Sequence, residues 1–189
     1  FDPSISQTLR TSVGLTDIFV AKYSSDGLFQ WAITLGGTGY DAGIDVGVGT
    51  TGEVFVTGQY AGTVDFDPGS GASYLTTGGI FVAKYSSAGV YAGVFSLMNT
   101  TGSNWVEALT LDTQNNVYLT GIFQGSVDFN PSATVTNRTS QAGLGDAFLA
   151  KYSAAFAFQW AFGIGNTEEE HGYDLVTDAL GNVYVTGVF

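Results

Sequence analysis

Short apolar runs separated by Gly-, Asn- and Asp-rich punctuation fill the chain, and their length and spacing predict strands rather than helices. The same runs return three times. DIFVAKYS (Asp17–Ser24) comes back as GIFVAKYS (Gly79–Ser86) and DAFLAKYS (Asp146–Ser153). EVFVTGQY (Glu53–Tyr60) comes back as NVYLTGIF (Asn116–Phe123) and NVYVTGVF (Asn182–Phe189). Lys22, Lys84 and Lys151 hold one position of the repeat, and Thr57, Thr120 and Thr186 hold another. A period of roughly 60–65 residues is too long for the commonest helical repeats and suits a multi-strand unit repeated in space.

Four strands are predicted per unit. Strand A is Gly43–Val48, Val106–Leu111 and Gly172–Thr177; strand B is Val54–Tyr60, Val117–Phe123 and Val183–Phe189. Strand C is Ile18–Tyr23, Ile80–Tyr85 and Ala147–Tyr152; strand D is Leu28–Leu35, Val90–Leu97 and Ala157–Ile164. The A→B turns (Gly49–Glu53, Asp112–Asn116, Asp178–Asn182) and the C→D turns Ser24–Gly27 and Ser86–Gly89 carry residues that tolerate positive φ, as antiparallel hairpins require. The third C→D turn, Ser153–Phe156, lacks its glycine and is expected to be strained or differently shaped. Strands B, C and D are apolar on both faces, which a sheet exposed on one side would not be. Sheets stacked on like sheets, with the small, Gly-rich strand A innermost, describe an all-β β-propeller of four-stranded antiparallel blades. A β-solenoid fits less well, because its coils usually take about 20–30 residues. The chain reads as one array, 1–189, with repeats at about 1–65, 66–128 and 129–189. In strand order it is C-D, A-B-C-D, A-B-C-D, A-B: about three blade equivalents, two complete blades and two half-blades.

Composition narrows the function classes. A net charge of −12 and only five Lys and Arg residues exclude a nucleic-acid partner, which needs clustered positive charge. With no cysteine there is no disulfide, no thiolate nucleophile and no Cys-based zinc site. No apolar run approaches the ~18–20 residues of a membrane helix. The sequence begins at Phe1 without a leader, as a mature or excised segment would.

The phrases GGTGYDAG (Gly36–Gly43), VTDALGNVYVTG (Val176–Gly187) and DIFVAKYSSDG (Asp17–Gly27), in this order around each repeat, resemble the SBBP repeat, a family named for seven-bladed β-propellers. The third copy keeps Asp178, Gly181 and Asn182; the first departs at Gly49 and Glu53, and the second has Asn115 in the glycine position. TVDFDPG (Thr63–Gly69), echoed by SVDFNPS (Ser126–Ser132) and FDPS (Phe1–Ser4), looks like a variant found in large secreted bacterial surface proteins. The resemblance implies a propeller fold and an extracellular or cell-surface setting, and it carries over no catalytic residue.

In a propeller the D→A and B→C connections share one face. Asp2, Asp17, Asp41, Asp65, Asp67, Asp128, Asp146, Glu168, Glu169 and Glu170 belong there; Asp26, Glu53, Asp112 and Asp178 belong to the other. Such an acidic face would concentrate cations or a basic partner, and Asp41, Asp65, Asp67, Glu168, Glu169 and Glu170 are its ligand-face candidates. The bland alternative is that these acids start turns and keep an aromatic-rich chain soluble. Asp65 and Asp67 flank Phe66, and Asp128 and Asn130 flank Phe129, which makes Asp65, Asp67 and Asp128 candidates for calcium. Calcium takes 6–8 oxygens and no D-x-D-x-D-G loop is present, so Asx turns before Pro68 and Pro131 are the competing reading. His171 follows three consecutive glutamates, which splay apart rather than converge on a metal. One imidazole with no converging nucleophile gives no Ser-His-Asp assembly, and Gly36–Gly39 lacks the lysine of a phosphate loop.

Trp31 and Trp160 share a strand-D position and are expected in blade packing rather than on a sugar; the second copy has Gly93 or Val94 there. The strand-C lysines are expected to run apolar stems between blades toward a carboxylate or water. Phe55, Tyr118 and Tyr184 of strand B are expected to be buried between blades. Asn99-Thr100-Thr101 and Asn137-Arg138-Thr139 match the glycosylation sequon.

The expectation that follows is a non-catalytic extracellular module with a structural, adhesive or display role. The alternative is a propeller binding a glycan, a cell-surface protein or calcium on its acidic face. Closed propellers have 4–8 blades, so the chain is expected to need further blades of a longer protein or copies of itself; two copies make six.

Overall fold

The computed structural model describes residues 1–2, 9–141 and 144–189, and of Thr100 only the backbone. Fourteen strands and no helix are formed among them. β1 (Ile18–Tyr23) and β2 (Phe29–Leu35) make an N-terminal half-blade. β3 (Ala42–Val48), β4 (Val54–Tyr60), β7 (Gly79–Tyr85) and the first part of β8 (Tyr91–Leu111) make a complete antiparallel blade. The second part of β8, then β9 (Val117–Asp128), β11 (Gly145–Tyr152) and β12 (Phe158–Ile164) make the next. β13 (His171–Thr177) and β14 (Val183–Val188) close the chain as a second half-blade. The chain is a β-propeller segment of two complete blades and two half-blades.

Two features depart from the sequence reading. Strands D and A, expected separately at Val90–Leu97 and Val106–Leu111, are one strand of 21 residues, β8. It leaves the first complete blade as its outer strand and enters the second as its innermost. Backbone partners make this possible: β9 runs past Phe123 to Asp128, so that Met98–Asn104 pair with Asp128–Phe123 across a bulge at Asn99/Thr101. The first copy breaks instead, at the Gly36-Gly37 link. The second feature is a small hairpin after strand B, β5 (Val64–Asp65) with β6 (Tyr74–Leu75), repeated as the end of β9 with β10 (Asn137–Thr139).

The turns obey the expected chemistry. Gly52, Asn115 and Gly181 take positive φ at the same place of the three A→B turns, Asn being the tolerated substitute for Gly. In the C→D turns Gly27 and Gly89 have φ of 76° and 78°, and Phe156 is held at 65° in the glycine-less copy.

Aromatic rings fill the seams between blades. Phe55, Tyr85, Tyr118, Phe148 and Tyr152 are fully buried. A recurrent latch ties strand C to the segment before it: the hydroxyls of Tyr23, Tyr85 and Tyr152 donate to the carbonyls of Phe1, Phe66 and Phe129 at 2.8, 3.0 and 2.8 Å. Each phenylalanine packs on a strand-C ring, Phe19, Phe81 or Phe148, at 5.0, 4.8 and 5.2 Å. The FDPS echo thus holds at Phe1, while its Pro3 and Ser4 lie outside the described residues. Tyr184 departs from its equivalents: it is 58% exposed where Phe55 is 0% and Tyr118 1%, because no strand C lies beside β14.

Candidate functional site

Lys84 sits in a three-part seat, which Lys22 and Lys151 share in part. Cross-strand pairing sets Lys84 opposite Phe55 and Lys151 opposite Tyr118. Each ammonium lies over that ring, at 5.1 and 4.8 Å from its centre, as a cation–π contact. The A→B turn adds a carboxylate, Glu53 at 4.0 Å from Lys84 and Asp112 at 3.7 Å from Lys151. The C→D turn of the following blade adds a carbonyl: Lys22 donates to Ser87 at 3.0 Å and Lys84 to Ala154 at 3.5 Å. Lys22 and Lys84 therefore rivet one blade to the next, while Lys151 is held within its own blade by Tyr118 and Asp112.

Asp112 is the best-supported carboxylate of this set. It accepts from the N–H groups of Gln114 and Asn116, from the Asn116 side chain at 2.7 Å and from the Tyr118 hydroxyl at 3.2 Å. Burial opposes its charge, but these donors outweigh burial and hold its pKa below the ordinary aspartate value. Asp178 repeats the arrangement at the C-terminal half-blade, with Asn182 at 2.7 Å and Tyr184 at 3.2 Å. There the hydrogen bond from Asn182 leads in lowering the carboxyl pKa.

Beside the N-terminal half-blade lies a cavity of about 820 Å³, walled by β1 on one side and by β3 and β4 on the other. Phe19, Lys22, Trp31, Ile44, Val46 and Val54 are among its lining residues. Strands A and B would occupy this place in a complete blade.

The acidic residues of the other side lie in loops or near strand ends and are engaged mainly with backbone. Asp65 accepts from the N–H groups of Asp67 and Ser73, and Asp128 from those of Asn130 and Thr136. Asp67 accepts from Gly69, as Asn130 does from Ser132. These are successive Asx turns closing the small hairpins. Asp41 is buried and accepts from Gly37 and Ala61; Glu170, also buried, accepts from Asn166. Asp146 is buried against the Gln141 N–H. Glu168 is exposed, and Glu169 meets His171 at 2.9 Å. Among the described residues no three His, Asp or Glu side chains come together in a set able to hold a metal.

Trp31 and Trp160 are half-buried in seams. Trp31 donates to the Ser87 carbonyl at 3.1 Å, and Trp160 packs on Tyr118 and Phe162. Their second-copy equivalent is Gly93, opposite Lys84. Asn99 and Asn137 of the two sequons are exposed. Sequence reasoning missed the Ser87 and Ala154 carbonyl acceptors, which carry no side-chain signal. It also missed the tyrosine latch, although Tyr23, Tyr85 and Tyr152 recur at one repeat position.

No family model matches the chain. It is similar to an uncharacterized WD repeat-containing protein of Acanthamoeba polyphaga mimivirus. The two are 28% identical over 183 residues, covering 87% of this chain and 13% of that protein. The expected SBBP repeat is thereby corrected: its own family model does not match, and the similarity found is to a viral WD repeat-containing protein. The physical reason is that phrases such as GNVYVTG answer to tight turns and blade packing, which any propeller demands. The bacterial and secreted setting inferred through that family loses its basis.

Proposed function

We propose that the chain is a non-catalytic propeller module that presents loops to protein partners. The observation that carries the reading is the engagement of its polar groups. Lys22 and Lys84 rivet seams, aspartates close turns, and an aromatic-packed body supports the loops. The similarity to a WD repeat-containing protein supports it, and since the chain spans about 13% of that relative, the module would act within a larger assembly. An adhesive or display role is one form such a module takes; fractionation with antibody against the chain decides whether it lies outside the cell. The decisive experiment is a parallel screen of the immobilised chain against peptide and glycan arrays, followed by calorimetry. Protein or peptide ligands bound at micromolar Kd or tighter support the proposal; ligands confined to the glycan array refute it.

A further inference from the structure

Between the two complete blades lies a second cavity, of about 250 Å³. Three segments wall it: Leu75 of β6, Phe95 and Met98 of β8, and Asp128, Asn130 and Pro131 at the end of β9 and in the loop beyond. Phe95 belongs to the buried core, whereas Met98 is 51% exposed. Small-molecule sites usually take roughly 300–1,000 Å³, so this cleft suits a single side chain better than a whole ligand. Asp128 brings a half-buried carboxylate to it. Its Oδ1 accepts from the N–H groups of Asn130 and Thr136 at 3.0 and 2.8 Å, which is enough to hold the Asx turn. Its Oδ2 has no hydrogen-bond or ion-pair partner among the described residues. The chain offers no cation for that oxygen, because all five Lys and Arg residues are engaged elsewhere. Lys22, Lys84 and Lys151 are held as described above, Arg10 donates to the Ala32 carbonyl, and Arg138 donates to that of Ala161. An anion without a counter-ion, set beside apolar walls, matches a long basic side chain, whose methylenes cover the walls while its charge reaches the acid. Lys84, with its ammonium over Phe55 and near Glu53, shows the same chemistry inside the chain.

We propose that this cleft receives a lysine or arginine side chain from a basic segment of a partner protein. Asp128 is its counter-ion, and Leu75, Met98 and Pro131 pack along its stem. The inference rests on the reading of the chain as a module that presents loops to protein partners, and it names the chemistry of the partner. The net charge of −12 draws a basic segment toward the chain, and the cleft then selects one extended side chain from it.

Met98 is the single methionine of the chain, so isotope labelling of its methyl group gives one NMR signal at the cleft. The probes are capped pentapeptides, Gly-Gly-X-Gly-Gly, with lysine, arginine, norleucine or glutamate at X, titrated at millimolar concentrations into the full chain. The lysine and arginine peptides should shift the signal to saturation, and the norleucine and glutamate peptides should not. Asp128→Asn keeps Oδ1 for its two N–H donors but removes the charge, and should weaken the lysine peptide by about fivefold or more. Asp26→Asn removes the same charge from an exposed turn on the other side and should leave binding unchanged. Hydrogen exchange in β9 checks that Asp128→Asn is folded; should it not be, the wild-type comparison of lysine with norleucine decides. A Met98 signal that stays put, or that norleucine moves as far as lysine does, overturns the proposal. Equal binding by a folded Asp128→Asn overturns it too. Each of these outcomes leaves the module reading standing, since the peptide and glycan arrays decide that separately.

Discussion

Phe156 occupies a backbone position that its two equivalents give to glycine, and the reason can be measured. Its φ of 65° places an L-residue in the left-handed region, at a cost of about 1–2 kcal/mol. The ring wedges between blades, 4.9 Å from Phe95 and 6.1 Å from Phe55, both edge-on. Full loss of a buried phenylalanine costs about 3–5 kcal/mol, and this half-buried ring is worth roughly half of that. Phe156→Ala keeps the strained backbone and loses the wedge, so it should destabilise by about 2 kcal/mol. Phe156→Gly loses the same wedge but relieves the strain, so it should be milder than alanine by about 1 kcal/mol. Urea unfolding followed by tryptophan fluorescence, with both variants compared at a common m-value, reads the difference. Glycine equal to or worse than alanine would refute the strain argument. An alanine variant as stable as the parent would refute the wedge.

Phe55→Ala should cost about 3–5 kcal/mol through cavity formation, and a loss below roughly 1 kcal/mol in urea unfolding would show that β4 is not clamped between neighbours. Asp112 has a lowered pKa in the folded chain, so its contribution is present above the unfolded aspartate value and lost as pH falls below about 4. Acid titration should show this loss, and Asp112→Asn should remove it. Burial raises the pKa of Tyr85 and of Tyr152, so both favour the neutral hydroxyl in the folded state. Their contribution is full below about pH 10 and is lost as pH rises beyond it, giving an alkaline transition that absorbance of phenolate detects. Tyr152→Phe should cost about 1–2 kcal/mol, because the buried Phe129 carbonyl loses its donor.

Much of the fold was legible because period and turn chemistry agree. Ile18–Tyr23 and Val54–Tyr60 match β1 and β4 residue for residue, since Ser-Ser-Asp-Gly and Gly-Thr-Thr-Gly mark their ends. The continuity of β8 was not legible, because it depends on the partners that β9 offers beyond Phe123, a non-local fact. Tyr184 was misread for the same reason: its identity matches Tyr118, but burial belongs to the neighbour rather than to the residue. At the candidate site the lysine stems and the Asx turns of Asp65 and Asp128 were readable from spacing. The acceptor carbonyls were not, since every residue has one.

In helical repeat arrays adjacent units meet mainly through side-chain packing, and stability is a sum of per-unit and nearest-neighbour interface terms. Here β8 gives the two middle units a shared backbone. Pulling one apart shears hydrogen bonds in the other, so the pair should exchange its amides together and report a single opening energy. The half-blades share no strand with this pair and are held to it by loops and side-chain packing, so the amides of β1, β2, β13 and β14 should exchange ahead of those of β4, β7, β9 and β11.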